Sequence, residues 1–191
     1  VANPSPTDLS KSILEEHLSQ SLDRLQTDYI DLYWVHHDEP SRGIEEILET
    51  MNEFITDGRV KAIGASNFSL PRLIEAREYV NKAGLVGFCA SQIGWSLATI
   101  KNQELIGGER VYMDDKLLKW HRSTKFPAMA YSSQAVGFFA GKYGCQIQDM
   151  TTGYFPWVIQ HYYSEENFKK FKRTEKLAKI HSCTSNDIAL A

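Results

Sequence analysis

Leu14, Leu18, Leu22 and Leu25 recur every three to four positions, the spacing that gathers side chains on one face of a helix. Residues 10–26 are therefore predicted helical, with Ser12 and Glu15 placed for a capping box. The period then changes. Tyr29-Ile30-Asp31-Leu32-Tyr33-Trp34-Val35 is short and nearly continuous in aromatic and β-branched residues, which predicts a strand buried on both faces. Ile44, Ile47, Leu48, Met51 and Ile55 return to helical spacing and stop at Asp57-Gly58, where glycine suits the left-handed residue that closes a helix. Val60-Lys61-Ala62-Ile63-Gly64-Ala65 predicts a second strand. Ser69 is placed to cap the next helix, with Pro71 in its first turn, Leu73, Ile74 and Val80 on one face, and Gly84 as its stop.

A third strand is predicted over Val86–Ile93, a helix over Tyr112–Arg122 and a fourth strand over Pro127–Tyr131. Each pair of strands leaves room for one helix, as a right-handed βαβ crossover requires. From about 134 to 163 the rhythm gives way to glycine and aromatics, among them Phe138, Phe139, Tyr143, Tyr154, Phe155, Trp157, Tyr162 and Tyr163. So long an irregular, aromatic stretch predicts an ordered covering element. A helix follows over about 165–181, and Ser185 with Asp187 is placed to start another. Four βα units fit either an open doubly wound sheet or part of a (β/α)8 barrel. No Gly-x-Gly-x-x-Gly lies between a strand and a helix, and the glycines at 107–108 and 137–141 lack the spacing of a phosphate loop.

Composition narrows the class. Hydrophobic residues make up 42% of the 191 and aromatics 12%, enough for one domain, or two small ones, burying about 70% of the unfolded surface and too many for a disordered chain. The formal charge of −3 gives no general pull toward nucleic acid or an acidic membrane, and Lys169-Lys170-Phe171-Lys172-Arg173 reads as a solvated helix face. Cys89, Cys145 and Cys183 fit neither a disulfide framework nor a zinc site, so no metal is expected and a reducing cytoplasm is. No apolar run approaches the roughly 20 residues of a membrane helix. The chain opens on Val1 without an initiator methionine and stops at Ala191 inside a predicted helix, as a piece of a longer protein would.

In parallel α/β folds, the residues at the carboxyl ends of the strands converge on one pocket. Here those ends are His36-His37, Ser66-Asn67, Ser91-Gln92 and Tyr131-Ser132-Ser133, all able to hydrogen-bond an amide or a carbonyl. Ser21–Tyr33 followed by Trp34-Val35-His36 resembles the helix–strand signature of the aldo-keto reductases. Gly64-Ala65-Ser66-Asn67-Phe68, Ser91-Gln92, and Ala130-Tyr131-Ser132-Ser133 leading to Gly137 and Gly141-Lys142-Tyr143 resemble the same family in order and spacing. The likeness covers about 10–145 strongly and the terminal helix more loosely.

What the resemblance implies is a (β/α)8 TIM barrel, incomplete here, whose strands four to seven this chain supplies as a single partial domain over 1–191. It implies an oxidoreductase that reduces small aldehydes or ketones with NADP, NAD being possible, bound without a Rossmann domain. His36 matches the active-site histidine facing the substrate carbonyl, where it would orient that oxygen and donate a hydrogen bond as charge develops. Ser66, Asn67 and Gln92 match the residues that hold the nicotinamide carboxamide, and Tyr131 the aromatic stacked under its ring. Ser132, Ser133 and Gln134 begin the loop near the pyrophosphate, with Ser133 in place of the usual proline. Trp34 and His37 are expected in the substrate pocket, His37 standing where many members have tryptophan. The family's acid tyrosine, lysine and aspartate precede the matched stretch, so this chain alone is expected to be inactive. The alternative is a noncatalytic protein that binds a nucleotide or a partner on the same scaffold. Four strands of a barrel also leave two open edges through which the chain would associate.

Overall fold

The computed structural model describes residues 8–101, 110–141 and 155–191. Helix α1 (Lys11–Leu25) leads to β1 (Ile30–Val35), α2 (Ile44–Thr56) to β2 (Val60–Ser66), and α3 (Leu70–Ala83) to β3 (Ser91–Gly94). Then come α4 (Asp115–Thr124), β4 (Ala128–Tyr131), a 3-10 segment (Ala135–Ala140), α5 (Phe155–Tyr162), α6 (Glu165–His181) and α7 (Ser185–Leu190). The four strands form one parallel sheet in sequence order, β1-β2-β3-β4, alternating with helices as part of a (β/α)8 barrel does. The chain divides into two compact units, Val1–Ile93 with Glu109–Met129 and Gly94–Gly108 with Ala130–Ala191.

In the first unit the strand period of two sorts the side chains. Tyr33 and Val35 of β1 and Ile63 and Ala65 of β2 join Leu14 and Leu18 of α1 and Ile47, Leu48, Met51 and Phe54 of α2 in one apolar cluster, each of these residues at most 1% exposed. Burying a side chain of this size contributes roughly 2 kcal/mol. The helix boundaries follow local chemistry. Gly58 closes α2 at φ +82, and α3 opens with Ser69 Oγ accepting from the Arg72 amide and closes on Gly84 in the left-handed region. The Ser12–Glu15 box does not form. Ser10, whose amide donates to Asp8 Oδ1 at 2.7 Å, starts α1 two residues earlier and leaves Ser12 inside the first turn.

The third strand is shorter than its apolar run. Val86 donates its amide to Asn52 Oδ1 at 2.9 Å, and its carbonyl accepts from Asn52 Nδ2 at 3.0 Å, so α2 claims the backbone a longer ladder would need. Pairing with β2 starts nearby, where Cys89 N donates to Ile63 O at 2.8 Å. The helix expected from Tyr112 begins instead after Asp114, whose carboxylate caps the Leu117 amide at 2.7 Å.

In the second unit Ala135, Phe138 and Phe139 of the 3-10 segment pack with Val158 and Tyr162 of α5, all at most 1% exposed. Phe171 of α6 meets Phe138 edge-on at 6.1 Å, while Lys169, Lys172 and Arg173 face solvent. Asn167, fully buried, accepts from Thr99 N at 2.8 Å and donates to Thr99 O and Tyr162 O at 2.7 and 2.8 Å. Within the stretch expected to be irregular, 155–162 is an α-helix, while 135–140 makes tight turns broken by the non-helical residues Val136 and Gly137. Tyr143, Cys145 and Tyr154 lie outside the described residues.

Candidate active site at the strand ends

Register decides which groups meet. Trp34 pairs with Gly64 and Ser66 with Gln92, on the sheet face opposite the apolar cluster. A Cβ on Gly64 would stand 2.5 Å from Trp34 Cε3 and Cζ3, so the absence of a side chain there is what lets the indole, 5% exposed, lie against the strand. Just past β2, Asn67 takes φ +60, a left-handed conformation that asparagine tolerates better than most residues. Its amide nitrogen donates to the His36 carbonyl at 2.9 Å and to Ser66 Oγ at 3.2 Å, and its oxygen accepts from Val111 N at 3.1 Å. The Asn67 amide in turn donates to Gln92 O at 3.1 Å. One side chain thus ties together the ends of β1 and β2 and the segment at 111.

The His36 and His37 rings lie 4.2 Å apart at 58°. Burial, then His37, then the Arg110 cation hold the His36 imidazole below the ordinary histidine pKa, so its neutral form dominates near pH 7. Arg110 hydrogen-bonds the Tyr112 phenol and opposes the upward push that burial gives that group. Ser66 is 1% exposed and Gln92 half-buried; among the described residues the Gln92 side-chain amide has no hydrogen-bond partner. Behind β3, Ser91 Oγ lies 3.1 Å from His121 Nε2, and His121 Nδ1 lies 2.8 Å from Phe126 O. A carbonyl only accepts, so Nδ1 carries the proton, and in the neutral ring Nε2 accepts from the Ser91 hydroxyl. Ser91 therefore turns to α4, away from the face that Ser66 and Gln92 share.

Tyr131, Ser132, Ser133 and Gln134 belong to the second unit. Tyr131 is half-buried and its carbonyl accepts from Trp95 N at 3.2 Å. Ser132 and Gln134 are exposed, Ser133 half-buried, and the Ser132 and Gln134 carbonyls accept from Ala135 N and Gly137 N at 2.8 and 3.0 Å. Ser132, Ala135 and Val136 all take positive φ, so the backbone coils tightly after β4. Sequence reasoning missed Arg110, Val111 and the Arg72–Asp38 pair. Asp38 and Arg72 lie 34 positions apart and Asn67 and Val111 44, beyond the reach of any local pattern. No group of three or more metal-binding side chains occurs among the described residues, and no described helix is long and apolar enough to cross a membrane.

A family model described as aldo/keto reductase matches residues 1–191. The chain belongs to the aldo/keto reductase family. Among relatives, it is 32% identical over 133 residues to "Aldo-keto reductase YhdN" of Bacillus subtilis, covering 70% of this chain and 35% of that protein. It is 37% identical over 98 residues to "Uncharacterized oxidoreductase YrpG" of the same organism, covering 50% of this chain and 30% of the relative. The chain thus spans about a third of the length of these curated relatives. For an aldo/keto reductase the group to be accommodated is a nicotinamide. Its carboxamide offers one carbonyl and one NH2, and the Ser66 hydroxyl beside the Gln92 amide supplies both a donor and an acceptor on one sheet face. The residues fit the group.

Proposed function

We propose that this chain carries part of the cofactor and substrate site of a carbonyl reductase that uses NADP or NAD. The observation that supports this most directly is the pairing of Ser66 with Gln92 next to Asn67, whose amide reaches the His36 carbonyl. In this reading Ser66, Asn67 and Gln92 hold the nicotinamide carboxamide, while for Tyr131 under the ring and for Ser132, Ser133 and Gln134 along the pyrophosphate the support is the family resemblance alone. A bound nicotinamide supplies a hydride. His36, neutral near pH 7, donates an N–H to the oxygen of a small aldehyde or ketone and steadies the charge that grows there. Trp34 and His37 shape the pocket for the carbonyl compound. In the family, the proton that completes the alcohol comes from a tyrosine that none of the site residues above supplies. We place the protein in the cytoplasm, with no nucleic-acid partner, and assign the outer strands β1 and β4 the role of receiving the other strands of one barrel.

The test is titration of the chain with NADPH and NADH, read by quenching of tryptophan fluorescence. Saturable quenching, weakened about tenfold or more when Gln92→Ala leaves the carboxamide unpaired, is the expected result. Absence of saturable binding of either nucleotide to the folded chain refutes the reading.

A further inference from the structure

Directly after His36-His37 the chain turns through residues 38–43 before α2 begins. The charges in this turn are largely buried. Arg72, in the first turn of α3, donates through Nε to Asp38 Oδ2 at 2.9 Å and through Nη2 to Asp38 Oδ1 at 3.0 Å. The same Nη2 reaches the Arg42 carbonyl at 3.1 Å, and Nη1 reaches Glu75 Oε2 at 3.0 Å. The Arg72 and Asp38 side chains are only 13% and 7% exposed. A second set of contacts braces the turn from its other side, where Glu39 accepts from Arg42 Nε at 2.9 Å and from the Leu9 amide at 2.6 Å.

A buried ion pair is a poor source of net stability, because removing two charges from water costs about as much as their attraction returns. What a two-pronged guanidinium–carboxylate pair does supply is a fixed distance and a fixed angle between two planes. The two elements it fixes here are the turn that follows His36 and the helix that follows Asn67. The bond from Asn67 to the His36 carbonyl already joins the ends of β1 and β2. The Arg72–Asp38 fork joins them a second time, one step further out, and stops the turn from rotating about that single bond.

We infer that Arg72, acting through Asp38, is a positioning residue that holds the His36-His37 turn against the Ser66-Asn67 end of β2 and thereby sets the angle at which the imidazole meets a bound carbonyl. The catalytic consequence rests on the proposed role of His36; the positioning itself does not, and the two are tested apart. In the full chain, Arg72→Lys keeps the charge but offers a point donor in place of the fork. Its expected effects are faster hydrogen exchange at the amides of 37–39 and 41–43, by about tenfold, and an upward move of the His36 titration midpoint, followed by NMR of the ring proton. The midpoint rises because burial is the leading reason it lies low, and a loosened turn lets water in. The charges of His37 and Arg110 near the ring are untouched by this substitution. A variant with wild-type exchange at these amides and a wild-type His36 midpoint overturns the inference, as does a lowered melting temperature with both of these unchanged. Should Arg72→Lys fail to fold, Asp38→Asn, which keeps the partner's shape, is read by the same exchange criterion. If wild-type chain binds neither NADPH nor NADH, the proposed function falls while the exchange and titration results still decide the role of Arg72.

Discussion

Replacing Asn67 removes several things at once, and two substitutions separate them. In Asn67→Ala the donors to the His36 carbonyl and to Ser66 Oγ and the acceptor for Val111 N are lost at a site only 7% exposed. Each such bond is worth about 1 kcal/mol net. Alanine must in addition hold φ +60, which costs an L-residue about 1 kcal/mol. The sum is about 4 kcal/mol. Asn67→Gly loses the same hydrogen bonds but takes the left-handed conformation without a steric penalty, so its loss is about 3 kcal/mol. Urea unfolding followed by tryptophan fluorescence measures both. The expected order of midpoints is wild type, then glycine, then alanine, with the two variants about 1 kcal/mol apart. A glycine variant as damaged as the alanine one would show that backbone strain plays no part. Both variants within about 0.5 kcal/mol of wild type would mean that the Asn67 bonds do not hold the strand ends together.

Gly64→Ala places a methyl group 2.5 Å from the Trp34 ring and forces the indole or the strand to move, for an expected loss of about 1–3 kcal/mol in the same urea assay; an unchanged midpoint would mean the ring is not packed on Gly64. For His36 the folded state holds the imidazole below its ordinary pKa, so between the two values the unfolded chain binds more protons. The stability penalty is absent above the unfolded value, about 6.5, and grows as pH falls through it toward the folded midpoint. Wild type should therefore lose more stability than His36→Gln between pH 7.5 and pH 5.5; parallel losses would refute the assignment.

The first half of the chain was legible because its elements rest on local rules. The leucines of α1, the closing glycines at 58 and 84, and the Ser69 cap with Pro71 act over a few residues, and α1, β1, α2, β2 and α3 fall within a residue or two of expectation. Local reading failed where a distant group competed for the backbone. Val86–Ala90 has the apolar character of a strand, yet Asn52, more than thirty positions earlier, occupies the Val86 amide and carbonyl. In the stretch after β4, Phe155–Tyr162 is a helix whose Val158 and Tyr162 are fixed by packing against Phe138 and Phe139.

The amino-acid order alone determined the succession of strands and helices and the polar residue types at the strand ends, because period and propensity are properties of neighbours along the chain. Folding in three dimensions decided what those residues touch. Strand register set Ser66 beside Gln92, turned Ser91 the other way toward His121, and laid Trp34 on Gly64. It also joined Asp38 to Arg72 and Asn67 to Val111. Contacts of this kind depend on how strands pair and on which buried polar groups find partners, and no window of sequence contains both members.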